Sequence, residues 1–120
     1  MKEVDQDFFN KNIYDIETEE IKSDKFYLVD FYADWCRPCK AMLPVLEALS
    51  EQFDGVVEIV KLNSDNNKEI MKYFSIASIP TLLFINNSTE LVVLHTGVLS
   101  KKQLNEKIRE VFKLWKQRLV

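Results

Sequence analysis

The segment FYLVDFYA, residues 26–33, restricts the possible folds of this chain more than any other stretch. It is almost continuously apolar and aromatic, which is typical of a strand buried on both faces of a sheet. A helical pattern follows Cys36, and a second strand pattern, VVEIVKLN, occupies residues 56–63. A strand, a long helix and a second strand predict a right-handed crossover with the two strands parallel.

The rest of the chain continues to alternate between strand and helix patterns. In order, it predicts a helix at 67–74, strands at 81–85 and 91–94 joined as a hairpin, and a helix at about 100–118. Ser100 is a good N-cap for that last helix, whose apolar stripe includes Trp115. An edge strand is expected before Tyr14. The sum is one α/β domain over residues 1–120, with a central mixed β-sheet flanked by helices on both faces.

Cys36 and Cys39 are the only cysteines, and they stand at the predicted start of a helix. One helical turn brings positions with this spacing within bonding reach. The unpaired N–H groups and the dipole at a helix N-terminus stabilise a thiolate, which is the species that attacks disulfides. The pattern therefore predicts a dithiol exchange site, with Cys36 as the nucleophile and Cys39 as the resolving sulfur.

Metal and haem sites are the alternatives for such a pair. Structural zinc needs four ligands, and the one histidine, His95, is far away in the sequence. Covalent haem attachment needs a histidine directly after the pair, where Lys40 stands. An incidental pair of small apolar residues stays open on spacing alone. We expect no metal and no cofactor beyond the Cys36–Cys39 disulfide.

Asp30 interrupts the apolar strand, and a buried carboxyl is unfavourable unless it is neutral or paired. Desolvation is expected to raise its pKa, which suits a proton acceptor for a buried thiol. The alternative is a charge on an edge strand that faces water.

Charge and hydropathy limit the classes of partner and the cell compartment that can be expected. The formal net charge of −3 argues against nucleic-acid binding. No stretch predicts a membrane span, and the first residues lack the apolar core of a signal peptide, so a cytoplasmic protein is expected.

Four segments together resemble one known family. They are LVDFYADWCRPCKAMLPVLEAL, KLNSD, SIPTLLF and TGVLSKKQL, and the similarity runs from about residue 16 to about residue 107. The chain is similar to the thioredoxin family. The resemblance implies the thioredoxin fold and reduction of protein disulfides. It also implies an electron donor of the thioredoxin-reductase type, and we expect a monomer.

The resemblance also implies roles for single residues around the cysteines. Asp30, helped by Lys61, would act on the proton of Cys39, although Lys61 could simply be a solvated strand end. Trp35 would shield the dithiol or else be ordinary core packing.

The same resemblance implies a surface on which substrates dock. Pro80 would lie in cis against the disulfide, rather than as a trans turn proline, and would turn the Ile79 backbone toward an extended substrate segment. Gly97 would allow close approach of a partner, or it could be a simple turn residue. Arg37 and Pro38 belong to the same predicted docking surface.

The chain departs from the family pattern at four places. Arg37 stands where glycine is common, Tyr32 where tryptophan is more usual, and Asn86-Asn87-Ser88 where a glycine is common; the last helix is also predicted to be longer. Two other functions stay open at this point. One is a thiol oxidase or isomerase of an oxidising compartment, and the other is a non-redox interaction module on the same fold.

Overall fold

In the computed structural model, which describes residues 1–114, the central strand forms where the apolar run predicts it. The elements in chain order are β1 Lys2–Glu3, α1 Gln6–Asn12, β2 Tyr14–Asp15, β3 Glu20–Ile21, β4 Phe26–Tyr32, α2 Arg37–Gln52, β5 Val57–Asn63, α3 Lys68–Tyr73, β6 Thr81–Asn86, β7 Leu91–Thr96 and α4 Lys101–Val111.

The main sheet of the described chain is mixed, with the strand order β1-β5-β4-β6-β7. Strands β4 and β5 are parallel and joined through α2, so the predicted parallel pairing of these two strands is confirmed. Strands β6 and β7 form the predicted antiparallel hairpin, and β6 also pairs antiparallel with β4. Strand β4 is thus hydrogen-bonded along both edges.

Helices cover both faces of this sheet. On one face Leu28 of β4 packs in a cluster with apolar residues of α2 and α4, such as Met42 and Ile108. On the other face Phe31 packs with Phe9 of α1 and Ile70 of α3. The near-continuous apolar run of β4 follows from this arrangement, because alternate side chains enter two different cores. The predicted α/β class is confirmed.

The N-terminal segment contains more structure than the sequence pattern predicts. The expected edge strand exists as the two-residue β1, which pairs parallel with β5. Helix α1 was not predicted. It is capped by Asp5, whose side chain accepts a hydrogen bond from the Phe8 N–H at 2.8 Å, and its fully buried side chain is Phe9. A helix of this length shows too little periodicity to be recognised from sequence.

The last helix starts as predicted but ends earlier. Ser100 caps α4 in a capping box with Gln103. The helix stops at Val111, so the predicted extent to about 118 is wrong. Lys113 takes φ 55°, and the N–H groups of Lys113 and Leu114 donate to the carbonyls of Glu110 and Arg109.

These bonds form a Schellman motif, and Leu114 is buried in the core beside the helix it terminates. The stop was not visible in the sequence, because lysine occupies the left-handed position where glycine is usual. Trp115 and the remainder of the predicted helix lie outside the described residues.

Hydrogen bonds of the Asn86 side chain stabilise the β6–β7 turn, in which the family commonly has a glycine. This side chain is buried, donates to the Val111 carbonyl at 2.9 Å, and accepts from the N–H groups of Ser88 and Thr89. One side chain therefore fixes the β6–β7 turn and joins it to the end of α4.

We predict that Asn86→Ala lowers the free energy of unfolding by about 2–3 kcal/mol, because three hydrogen bonds are lost and buried groups are left without partners. Asn66→Ala is the matched control. Asn66 is exposed, so its replacement is expected to change the stability by less than about 0.5 kcal/mol. Urea unfolding of both variants measures the difference, and equal stabilities would contradict the structural role given to Asn86.

Candidate active site

The two cysteines lie at the start of α2 and are joined as a disulfide. Cys36 is the N-cap residue, and its Sγ accepts a hydrogen bond from the Cys39 N–H at 3.3 Å. Arg37 and Pro38 occupy the first helical positions and are exposed, and Pro38 interrupts no hydrogen bond there. The sulfur of Cys36 therefore occupies the position where a helix N-terminus best stabilises negative charge.

The Ile79–Pro80 peptide bond is cis, as expected, and the segment lies against the disulfide. The Ile79 carbonyl oxygen is 3.9 Å from Cys36 Sγ. The Gly97 N–H donates to the Pro80 carbonyl at 2.9 Å, which ties the end of β7 to this segment. Gly97 has φ 107°, and a Cβ added there would meet no heavy atom within 4 Å. Backbone conformation, rather than lack of space, therefore favours glycine at this position.

Trp35 is not a core residue. It is 69% exposed, and its indole N–H donates to the Asp65 carboxylate at 2.9 Å. The Asp65 N–H in turn donates to Asn63 Oδ1 at 2.9 Å. This chain of bonds fixes the indole at one side of a groove of about 470 Å³, whose lining includes Asp65, Lys68, Met71 and Ile79. An exposed aromatic ring held in one orientation suits contact with a partner.

Asp30 lies behind the disulfide, on the inner side of the site. It is only 2% exposed, and burial raises its pKa to about 7, while the Lys61 ammonium acts in the opposite direction. Its Oδ1 has no hydrogen-bond partner within residues 1–114. Asp30 and Cys39 both line a cavity of about 150 Å³, which is large enough for water. Asp30 and Cys39 therefore border one water-sized space, which is the arrangement that proton exchange between them would need.

Lys61 lies beside Asp30, since the two residues are opposite each other in the β4–β5 pair. Its ion-pair partner, however, is Glu3 of β1, with Nζ and Oε1 3.9 Å apart. The solvated strand end considered for Lys61 is only partly correct, because its side chain is 27% exposed and lines the same cavity as Asp30.

The described part of the chain has neither a cluster of metal-binding side chains nor a helix able to cross a membrane. Residues 1–114 contain no group of three or more histidine, cysteine, aspartate or glutamate side chains placed to hold a metal ion. Nor does any helix within them have the length and apolarity needed to span a bilayer.

Comparison with known proteins agrees with this geometry. Residues 2–110 match the family model described as Thioredoxin. The chain belongs to the thioredoxin family. Its similar relatives include the thioredoxin of Haemophilus influenzae (strain ATCC 51907 / DSM 11121 / KW20 / Rd), 45% identical over 93 residues, which are 78% of this chain and 86% of the relative.

Two further relatives carry the same name. The thioredoxin of Buchnera aphidicola subsp. Acyrthosiphon pisum (strain APS) is 43% identical over 94 residues, 78% of this chain and 86% of that protein. The thioredoxin of Chlorobaculum thiosulfatiphilum is 40% identical over 103 residues, 86% of this chain and 94% of that protein. Membership of this family confirms the thioredoxin fold. Together with the Cys36–Cys39 disulfide, it shows that the protein is a thiol–disulfide oxidoreductase.

Two acidic residues that contact the predicted site residues, Asp65 and Glu3, were not predicted from the sequence. Asp65, the partner of Trp35, follows strand β5, and the carboxyl ends of parallel strands β4 and β5 meet at one edge of the sheet. That rule could have placed Asp65 near the end of β4. Glu3 gave no such signal, because a two-residue edge strand has no recognisable pattern.

The raised pKa of Asp30 predicts a pH-dependent stability. The folded-state pKa of about 7 lies above the ordinary value of 3.8, so folding favours the protonated form. The stability associated with this group is fully present below about pH 4 and is lost as the pH rises to about 7. The difference corresponds to a loss on the order of 4 kcal/mol.

Asp30→Asn should remove this loss, so the variant gains stability relative to wild type as the pH rises from 4 to 8. Urea unfolding of the oxidised proteins at several pH values measures the trend. Asp34→Asn, at an exposed position, is the control and should follow wild type. A constant difference between Asp30→Asn and wild type across this range would contradict a raised pKa.

Proposed function

We propose that the protein reduces protein disulfides by dithiol–disulfide exchange, with Cys36 as the attacking sulfur and Cys39 as the resolving sulfur. The observation that supports this order is the different surroundings of the two sulfurs. Cys36 caps α2 and contacts Ile79 beside the exposed Trp35, whereas Cys39 lines the inner cavity together with Asp30. A substrate therefore meets Cys36 first.

The reaction proceeds in two exchanges. In the first, the Cys36 thiolate attacks one sulfur of the substrate disulfide; an S–S bond to the substrate forms, the substrate S–S bond breaks, and the other substrate sulfur leaves as a thiolate that takes a proton from water. In the second, Cys39 loses its proton and attacks Cys36 Sγ, forming the Cys36–Cys39 disulfide and releasing the second substrate thiol. The substrate gains two electrons and the dithiol loses two.

Asp30 is the proposed acceptor of the Cys39 proton, and Lys61 adjusts its acidity. A carboxyl group with a pKa near 7 can take and return a proton close to neutral pH without a large free-energy cost. The cavity that it shares with Cys39 gives the proton a route that does not cross the substrate-docking surface.

The proposed docking surface surrounds Cys36. Arg37 and Pro38 flank it at the start of α2, Trp35 stands at one side, and the Ile79–Pro80 segment carries a carbonyl close to the sulfur. The Ile79 backbone is placed to form strand-like hydrogen bonds with an extended substrate segment. Gly97, bonded to the Pro80 carbonyl, leaves the adjacent surface free of a side chain.

A donor of the thioredoxin-reductase type would restore the dithiol, and no organic cofactor or metal is required for the exchange itself. We further propose that the protein acts as a cytoplasmic monomer. The use of both cysteines of the chain in one exchange pair is the pattern expected in a reducing compartment, where structural disulfides are rare.

Reduction of insulin by dithiothreitol, followed by turbidity, tests the proposed order. We predict that Cys36→Ser abolishes catalysis, because the attacking sulfur is gone. Cys39→Ser should retain the attack but stop at the mixed disulfide. When the reduced variant is mixed with insulin in the absence of dithiothreitol, a covalent complex should therefore accumulate, and reducing agent should resolve it on a gel.

The competing functions predict other results. A much higher reduction potential than in known disulfide reductases would favour an oxidase or isomerase. A wild-type protein that is inactive on insulin although both thiols react would favour a non-redox module. Trapping by Cys36→Ser instead of Cys39→Ser would reverse the roles of the two sulfurs.

Arg37 has a predicted small effect on the potential. Its cation next to Cys36 favours the thiolate and thus the dithiol form, so the protein is less reducing than it would be with glycine. An exposed charge pair contributes about 0–1 kcal/mol, which corresponds to about 20 mV at most in a two-electron couple. Equilibration of wild type and Arg37→Gly with glutathione measures this difference. A gap several times larger would contradict a purely solvent-exposed interaction.

A further inference from the structure

A row of three charged side chains crosses the sheet at the level of the active site. In the strand register, Glu3 of β1 is opposite Lys61 of β5, and Lys61 is opposite Asp30 of β4. Residues that are opposite each other in neighbouring strands project from the same face of the sheet. The row therefore runs from an exposed carboxylate at the sheet edge, through an ammonium group, to the buried carboxyl at the centre.

The outer end of this row is fixed by a second contact. Glu3 Oε1 lies 3.9 Å from Lys61 Nζ and also accepts a hydrogen bond from the Tyr32 hydroxyl at 2.7 Å. The Lys61 ammonium in turn lies 5.3 Å from the centre of the Tyr32 ring. The Tyr32 hydroxyl thus holds the Glu3 carboxylate in place, and the Tyr32 ring lies next to the Lys61 ammonium group. Tyrosine at this position, where the family more often has tryptophan, supplies the hydroxyl that makes this contact.

We propose that Glu3 is a positioning residue: it holds the Lys61 ammonium toward the edge of the sheet and so controls how readily Asp30 accepts the proton of Cys39. This inference rests on the proton-transfer role given to Asp30 in the proposed function. The Coulomb energy falls with distance, so an ammonium group engaged by an outer carboxylate stabilises the inner carboxylate less than one free to approach it.

Among the groups around Asp30, Lys61 is the one through which Glu3 can change the pKa of Asp30. From β6, Asp30 is opposite the apolar Leu82. The cavity next to Asp30 is lined by Tyr32, Ala33, Asp34, Cys39, Lys40, Leu43 and Lys61. Lys40 and Asp34 are exposed and of opposite sign, whereas Lys61 is the charged group that lowers the pKa of Asp30 against the effect of burial.

The test is an NMR titration of the Asp30 side-chain carboxyl in the oxidised protein, labelled with carbon-13 at aspartate. Glu3→Gln keeps an oxygen that can accept from Tyr32 but removes the charge that engages Lys61. We expect it to lower the pKa of Asp30 by about half a unit, which is the size of a partly exposed charge interaction.

Glu58→Gln is a matched control. Glu58 is also a half-exposed carboxylate on the main sheet and is paired with a lysine, Lys25, at 3.7 Å. It lies three residues before Lys61 on β5 and therefore projects from the opposite face of the sheet. Its replacement should leave the pKa of Asp30 as in wild type.

A double-mutant cycle shows whether Glu3 acts through Lys61. In a Lys61→Met background the added Glu3→Gln substitution should have little further effect on the pKa of Asp30. An undiminished effect in that background, or a pKa that is unchanged or raised in Glu3→Gln alone, would overturn the inference.

The same variants separate this inference from the proposed function. If Asp30 accepts the Cys39 proton, the pH profile of insulin reduction should move to lower pH in Glu3→Gln by the amount measured by NMR. A shifted pKa with an unmoved profile would uphold the contact between Glu3 and Lys61 but overturn its control of the reaction. A wild-type protein without disulfide-reducing activity would instead refute the proposed function, whatever the titration shows.

Discussion

Strand β4 is hydrogen-bonded along both edges and covered by helices on both faces, and this double burial determines the rest of the structure. A strand in that position is expected to be apolar along most of its length, because both of its faces are covered. Asp30 is the exception, and its carboxyl group is kept where water is scarce. The burial that organises the fold therefore also raises the pKa of Asp30, the proton-binding group of the site.

The site has an outer side and an inner side, and each is formed by different segments of the chain. On the outer side, Cys36 lies next to the cis Ile79–Pro80 segment that precedes β6 and next to the exposed ring of Trp35. On the inner side, Cys39 shares a cavity with Asp30 of β4 and Lys61 of β5. The proposed mechanism therefore assigns contact with a partner and transfer of a proton to opposite sides of one disulfide, where they would not compete for space.

The parts of the structure that could be predicted from the sequence are those with strong local signals. The apolar run of β4, the spacing of the cysteines and the cap at Ser100 each predicted an element or a bond that the structure contains. The end of α4 was missed because Lys113 adopts a backbone conformation that usually requires glycine. The contact between Glu3 and Lys61 was missed because it depends on strand order, which a pattern along the chain does not encode.

The cap of helix α2 is the sulfur of Cys36, so the first turn of that helix and the exchange reaction use the same atom. Each chemical state of Cys36, whether thiolate, mixed disulfide or internal disulfide, presents a different acceptor to the Cys39 N–H. By thermodynamic linkage, the order of this turn and the redox equilibrium influence each other by the same free energy. A ligand or substitution that orders this turn more in one redox state than in another therefore also favours that redox state.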